Sequence, residues 1–581
     1  MNLTRSDANS LYVDIYKHEV PVFLLFDTII KNGHIVDGTG NPWFKADIGI
    51  KKGRTVNIGN LRAEKADKEI DATGRIVSPG FIDIHSHSDV SLLANSMDES
   101  KVRQGVTLEL NGNCGSSGGP VKATGAVSSH SEYGIEVDWS TFDEYCRRPE
   151  KVGRTINVAS LVGHANIRRI VMGNERRLPT DGELKEMRRL VGEAMAEGAF
   201  GLSTGLEFTP GMYSDLNELV ELCEVVAEYD GIYATHQRNR DIKYEEATKE
   251  AIDIGKAAGV HVHLSHFSAR YPSHGKTPAL LWMVDEARRN GVNITFDVIT
   301  PNDPPQALRL SLRDGFHWAA QSLAPQLIPP WGFEGGIEKV IERCRDPAMR
   351  ERFRAEHVPQ WKLFGAPKRV FPEYPDGIPA RWDRILLNYS RASPELVGRT
   401  FEEIAKIKGK DPWNAALDVV VDEGEKARTL SLPILGASTA ETDSLMAMKH
   451  PVASICSDRA VLAPYGVLAK GGDPNSYGAF PRVFRKYVRE RGIFTVEEAV
   501  KKMTSIAAQS IGLRDRGMIR EGMCADITVF DQERIADKAT IEMPTQYPEG
   551  IDYVLVNGLT VIERGKHTGA LPGRVLRKGK S

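Results

Sequence analysis

The 581-residue sequence predicts a (β/α)8 TIM-type barrel with a small β-sandwich domain built from both chain ends. Three observations lead there. Strand-like and helix-like stretches alternate through the middle of the chain. Short β segments with glycine turns occur at both ends and nowhere else. Metal-binding residue types stand at the ends of several of the central strands.

Taken in order, residues 1–25 read as an extension without an assignable role. Its short apolar run is broken by Pro21 and preceded by Asp, His and Glu, which makes a poor signal peptide. Residues 26–76 carry "TIIKNGHIVDGTG", "ADIGIKKGRTVNIG" and "KEIDATGRIVSPG", each alternating and each with a glycine turn. The same texture returns at 516–566 in "GMIREGMCADITVFD" and "GIDYVLVNGLTVIERGK". Either piece alone is too small to bury a core, so the two are expected to share one domain, followed by a tail at 567–581. The barrel is assigned to 77–515, with strands in "FIDIHSH", "VTLELNG", "TINVASLVGH", "AFGLSTG", "IYATH", "VHVHLSHF", "VNITFDV" and "VASICSD". Helical spacing of Leu184, Met187, Leu190, Val191 and Met195 marks one connecting helix, and Ser214 and Asp215 are cap candidates for the next. About 150 residues, roughly 300–450, separate the seventh and eighth strands. This insertion opens with many prolines, contains helical pieces such as "GIEKVIERCRD" and "TFEEIAKIKG", and is expected on the catalytic face.

Composition narrows the function. With 41% hydrophobic and 26% charged residues the chain reads as an ordinary folded protein. A formal net charge of −3 offers no reason to expect nucleic acid or an anionic membrane surface as partner. No stretch approaches the roughly 18 apolar residues that span a bilayer. Six scattered cysteines without a CxxC favour a reducing, cytoplasmic setting over a disulfide framework. Self-association into a homo-oligomer is compatible with the sequence but not specified by it.

His85 and His87 in "VSPGFIDIHSHSDV" pose the central question. Period-two alternation would put Phe81, Asp83, His85 and His87 on one strand face, where two imidazoles can converge on one ion. Alone, an HxH is more often a pair of ordinary polar residues. Partners appear at other strand ends: Cys114 after the second, His236 at the fifth, His266 at the sixth and Asp458 at the eighth. Each has an ordinary alternative. Cys114 could be a small buried hydrophobe, His236 a hydrogen-bonded core residue and Asp458 a helix cap in "SDRAV". Alternation sets His261 and His263 opposite His266, so His266 needs a bulge or the strand end to redirect it. In a closed barrel all these ends share one mouth, and nitrogen with sulfur donors suits Zn²⁺.

The chain resembles the amidohydrolase superfamily, and within it the D-aminoacylase (N-acyl-D-amino-acid deacylase) family. The resemblance runs from about Phe26 to Lys566 and is carried by "KNGHIVDGTGNPW", "VSPGFIDIHSHSD", "RQGVTLELNGNCG", "GAFGLSTGLEFTPG", "THQR", "SHF", "IPPWGFEGG", "SYGAFPRVFRKYVRERG" and "MIREGMCADITVFD". "NGNCG" is specific, because many amidohydrolases use a carboxylated lysine where this family uses cysteine. The resemblance implies a tight zinc held by Cys114, His236 and His266. It implies a second, weaker position at His85 and His87 sharing Cys114, and Asp458 as general base. The implied reaction is hydrolysis of a small-molecule N-acyl amide, an N-acyl-(D-)amino acid or a relative, by zinc-activated water. Asp458 would take the water's proton and return one to the departing nitrogen.

Several positions depart from the family pattern. Ser268 stands where a lysine is usual, Asp297-Val298-Ile299-Thr300-Pro301 lacks both tyrosines of D-V-Y-P-Y, and Asp473-Pro474-Asn475 replaces His-Pro-Arg. These are positions suited to holding an anion. Arg238 and Glu207 remain substrate-contact candidates together with Ser268, and Arg240 is a weaker substitute. A cyclic-amide hydrolase of hydantoin or lactam type, and a non-catalytic metal-binding barrel, are the alternatives on the same scaffold.

Overall fold

The computed structural model describes residues 26–579 apart from 123–132, 176, 209, 241–242, 270–272, 274, 302–320, 323–326, 336, 357–381, 383–384, 425–427, 432–436, 470–473 and 541–542. The extension at 1–25, Asp473 and much of the insertion's beginning lie outside the described residues.

The barrel expected from the alternation is present. Its strands are Phe81–Asp83, Val106–Asn111, Asn157–Ser160 continued at Val162–Gly163, Gly201–Gly205, Ile232–His236, His261–Leu264, Ile294–Ile299 and Ala453–Cys456. All neighbouring pairs run parallel. The third strand breaks at Leu161, so that Asn157–Ser160 pairs with the second strand and Val162–Gly163 with the fourth. First and eighth strands join just past their regular ends. There Ser86 and Arg459 form a parallel bridge, and the Asp458 N–H donates to the His85 carbonyl at 3.0 Å. The ring therefore closes at the level of the histidine pair.

Alternation sorts the side chains. Ile82, Ile84, Leu108, Leu110, Ala159, Leu161, Ile232 and Ala234 come from around the ring and pack together as its interior. Val262, Leu264, Phe296 and Val298 pack with Val191 and Leu222 of the surrounding helices. Those helices start where the caps predict. Thr180 and Glu183 form a capping box for Asp181–Glu197, and Asp215 accepts the Glu218 N–H at the head of Leu216–Glu228.

Both chain ends contribute to one nine-stranded sheet, in which Ile76–Pro79 lies between Phe26–Ile35 and Ile527–Phe530. The sheet curls over a shared apolar core of Ile30, Ile48, Ile50, Val77, Ile527 and Leu555. Its edge strand Arg54–Gly59 folds back onto the segment just before Ile527–Phe530, where the Thr55 N–H donates to the Met523 carbonyl and the Ala525 N–H to the Gly53 carbonyl, both at 2.9 Å. The tail is part of the fold. The Val158 N–H donates to the Arg574 carbonyl and the Leu576 N–H to the Val158 carbonyl, which covers the edge of Asn157–Ser160 left open by the break in the third strand.

The described part of the insertion has its own core, in which Val340, Phe353, Leu387, Phe401, Trp413 and Val420 are buried together. Its helices Ile337–Arg345 and Phe401–Lys408 coincide with the two helical pieces read from the sequence.

A buried cation braces the barrel seam. The Lys101 ammonium donates to Asp83 Oδ2 at 2.6 Å, Ser457 Oγ at 2.9 Å and the Arg459 carbonyl at 2.8 Å. Neither Lys101 nor Asp83 has any solvent exposure. Replacing Lys101 with Met leaves Asp83 buried without its counter-ion. The expected loss is about 3–5 kcal/mol of stability, read as a lower urea-unfolding midpoint. An unchanged midpoint would remove the bracing role.

Candidate functional site

Cys114 sits at the centre of the barrel mouth. Its sulfur lies 3.3 Å from His85 Nε2, 3.4 Å from His266 Nε2 and 3.6 Å from His236 Nδ1. Asp458 Oδ1 lies 3.0 Å from His87 Nε2 and 3.4 Å from His85 Nε2. The structure thus brings together all six residues that the strand ends nominate.

Backbone geometry explains how they converge. Phe81 and Asp83 do not share a face with His85 and His87 as period two predicts. Phe81 packs outward against Phe480 and Phe484, and Asp83 is bound to Lys101. The regular strand ends at Asp83, which frees the two histidines to turn into the mouth. Three further site residues depart from alternation through left-handed backbone: φ is 53° at Cys114, 36° at His266 and 55° at Asp458. Non-glycine residues in that region carry strain, and here the strain aims each side chain at the same point. At His266 it supplies the redirection that the alternation of its strand demands. Gly112 and Gly115 flank Cys114 at positive φ, where a Cβ would fall 2.2 Å from the Leu161 carbonyl oxygen and 2.6 Å from the Gly205 nitrogen. The glycines of "NGNCG" let this loop pass against neighbouring strands.

The electrostatics are those of a cation site. Burial works against charge on Cys114, yet His85 beside it and hydrogen bonds from His236, His85 and His87 hold its thiol well below the usual range. Burial likewise opposes charge on Asp458, but His85 and the bond from His87 keep this carboxyl below its ordinary value. His87 is raised to about 9 against burial, by Asp458 and Cys114.

Outer carboxylates complete the pattern. Asp297 Oδ2 lies 3.2 Å from His85 Nδ1, and Glu207 Oε2 lies 2.8 Å from His236 Nε2. Each of these imidazoles thus has one nitrogen held by a carboxylate and the other facing the thiolate, as metal-ligating histidines usually do. Around zinc, bond lengths of about 2.3 Å to sulfur and about 2.0 Å to nitrogen at tetrahedral angles put sulfur and nitrogen about 3.5 Å apart, close to the spacings here. The donor set therefore fits zinc. Among the described residues, the donor atoms of His85, Cys114 and His266 lie within 4.8 Å of one another, and so do those of His85, His87 and Asp458. His85 belongs to both groups, a sharing that the sequence grouping did not anticipate.

The substrate-contact candidates are placed differently. The Arg238 guanidinium donates to the Glu250 carboxylate and to the Met212 and Ser214 carbonyls, so it clamps the loop after the fourth strand. Arg240 donates to the His266 carbonyl at 2.7 Å. Glu207 is partly exposed and lies against His236, its Oε2 2.8 Å from Nε2. Ser268 is partly exposed, its hydroxyl 3.5 Å from that of Ser444 on the insertion's last helix, Ala437–Lys449. Asn475 is buried, donating to the Thr300 carbonyl and accepting from Arg482. Asp297 escaped notice as a site residue, although a carboxylate near the end of the seventh strand was its available signal.

The amidohydrolase family profile matches residues 68–309 and 398–562. The chain is 31% identical to an N-acyl-D-glutamate deacylase of Alcaligenes xylosoxydans xylosoxydans, covering 96% of this chain and 97% of that protein. It is 29% identical to a D-aminoacylase of the same organism, over 95% and 98% of the two chains. A crystal structure of N-acyl-D-glutamate deacylase from Bordetella bronchiseptica superposes with a TM-score of 0.74 at 29% identity, over 95% of this chain and 100% of that one. That structure contains zinc and a phosphonate mimic of the tetrahedral intermediate.

All six cysteines are free thiols, and they differ sharply in environment. Burial pushes Cys146 up to about 12 and Cys344 and Cys524 up to about 11, and raises Cys223 and Cys456 as well. Near neutral pH, iodoacetamide should alkylate Cys114 of chelator-treated protein at least about tenfold faster than any other cysteine, and added zinc should block it. Peptide mass mapping reads the result, and uniform labelling would contradict the thiolate assignment.

Proposed function

The chain belongs to the amidohydrolase family, and on that premise we propose that it is a zinc-dependent hydrolase of linear C–N amide bonds, deacylating N-acyl-D-amino acids or closely related N-acyl amides. The observation that carries this reading is the thiolate ringed by imidazoles at the barrel mouth with an ionised aspartate beside it. Cys114, His236 and His266 are assigned the tight zinc, and His85 and His87, sharing the thiolate, a weaker second position. Zinc bound there would acidify water and polarise the scissile carbonyl.

Asp458 supplies the proton chemistry. Its carboxylate is ionised at neutral pH and is oriented by His87, so it can accept a proton from water attacking the carbonyl. The same oxygen then delivers the proton to the departing amine nitrogen, which completes hydrolysis to acid and amine. The loop carrying Glu207 and Phe208 closes over His236, with the Phe208 ring 4.5 Å from the imidazole. Among the described residues no helix is long and apolar enough to cross a membrane. The cytoplasm suits the protein, because a reducing setting keeps Cys114 available as a ligand.

The neutral hydroxyl of Ser268 and the occupied guanidinium of Arg238 favour acceptance of amides whose amine part lacks a free carboxylate. In a stereochemically paired panel, N-acyl-D-amino acids and their neutral carboxamides should differ in kcat/KM by about tenfold or less, since a strong charged hydrogen bond is worth more than that. Turnover confined to cyclic amides would overturn the linear-amide reading. Asp458→Asn should lower kcat about 10²–10⁴-fold with zinc content unchanged, whereas His236→Ala should lose the tight ion. Activity surviving in Asp458→Asn would remove the base assignment.

A further inference from the structure

Beneath the metal-binding groups, a file of polar side chains runs down the barrel interior between the sixth and seventh strands. His263 stands opposite Thr295 in the parallel register, and His261 and Asp297 flank them on the same inward face. Thr295 Oγ1 lies 2.9 Å from His261 Nε2 and 2.8 Å from His263 Nδ1. His263 Nε2 lies 2.9 Å from Asp297 Oδ2, which also meets His85 Nδ1 at 3.2 Å. The other oxygen of Asp297 accepts the His266 N–H at 2.7 Å and the Cys456 thiol at 3.0 Å. His263 and Asp297 are buried, as are His85 and His266 above them.

One carboxylate orders every proton in this file. Asp297 accepts on both sides: Oδ1 takes the His266 N–H and the Cys456 thiol, while Oδ2 faces the two imidazoles of His85 and His263. An ionised carboxylate only accepts, so His85 must donate through Nδ1 and His263 through Nε2. With a metal ion bound, His85 Nε2 would then be the nitrogen left to offer it a lone pair beside Cys114. With its Nε2 proton given to Asp297, His263 turns Nδ1 to the Thr295 hydroxyl at 2.8 Å. The Thr295 oxygen in turn accepts from His261 Nε2–H. Burial lowers His261 to about 3, so it remains neutral.

We propose that His263, Thr295 and His261 are positioning residues that, through Asp297, fix the tautomer of His85 and the seat of the His266 backbone for metal binding. This rests on the reading of Cys114, His236 and His266 as the tight zinc site, with His85 and His87 as the weaker position beside it. A file that merely filled space would be indifferent to which atoms carry protons. This one loses its order if a single hydroxyl is replaced by a methyl of the same size.

The test is the rate at which the zinc-loaded full-length protein yields zinc to a chromogenic chelator, with the thermal midpoint of the metal-free protein measured beside it. Thr295→Val should release zinc about tenfold faster, the low end of the penalty for losing an outer-shell partner, because Thr295 acts on the ligands only through His263 and Asp297. The metal-free midpoint should stay near that of the unaltered protein, and Thr295→Ser should restore slow release. If Thr295→Val does not fold, His263 decides. His263→Gln keeps a donor toward Asp297 and an acceptor toward Thr295 and should release zinc within about threefold of the unaltered protein, whereas His263→Leu should release it about 10–100-fold faster. Wild-type release from Thr295→Val, or equal release from the two His263 variants, overturns the proposal. Cys114→Ala separates the two levels. Full zinc binding in that variant would overturn the metal centre itself, and the positioning proposal with it, whereas loss of zinc there alongside slow release from Thr295→Val would overturn the positioning alone.

Discussion

An enclosed thiolate costs several kcal/mol unless opposite charge or hydrogen-bond donors surround it, and the Cys114 sulfur makes that demand on several strands at once. His85, His236 and His266 come from the first, fifth and sixth strands, and Asp458 from the eighth. No pair of neighbouring strands could meet the requirement alone. The barrel must therefore close, and it closes at His85 and Asp458, where backbone bonds tie the first strand to the last. The strained backbone at Cys114, His266 and Asp458 follows from the same requirement. Each residue leaves the regular strand geometry to face one point, and the surrounding hydrogen bonds hold it there.

Much of this was legible in the chain. The eight strands, the pairing of the two chain ends and the six convergent residues all follow from alternation, glycine turns and residue type. What alternation could not supply was the direction of side chains past the last regular residue. It set Asp83 beside His85, while the strand ends at Asp83 and that carboxylate turns to Lys101. It set His266 against His263, while a left-handed φ at His266 turns its imidazole to Cys114. Left-handed backbone at Cys, His and Asp has no marker in composition, because it is imposed by contacts distant in sequence.

The charged candidates show the same limit from another side. Arg238 and Glu207 look available in sequence because each is a charged residue inside a motif that carries the family resemblance. In three dimensions Arg238 is held by Glu250 and two loop carbonyls, and Glu207 by His236. A buried or half-buried charge takes the nearest partner, and that partner is as often a protein group as a ligand. Asp297 is the converse case. It sits in an unremarkable "TFDV" stretch yet gathers His85, His263, Cys456 and the His266 backbone.

The sheet built from both chain ends also bears on how the protein is made. Ser78 and Thr528, which face each other across that sheet, are separated by 450 positions. At ribosomal speeds of about 5–20 residues per second, the first strands wait roughly 20–90 s for their partners to emerge. During that interval an apolar sheet face and a bare strand edge are exposed, which is the usual template for aggregation. The barrel, by contrast, can begin pairing each strand with the one synthesised just before it. The small sheet is thus the last element able to assemble during synthesis, and the yield of folded protein should depend on how well the cell shields residues 26–79 in the meantime.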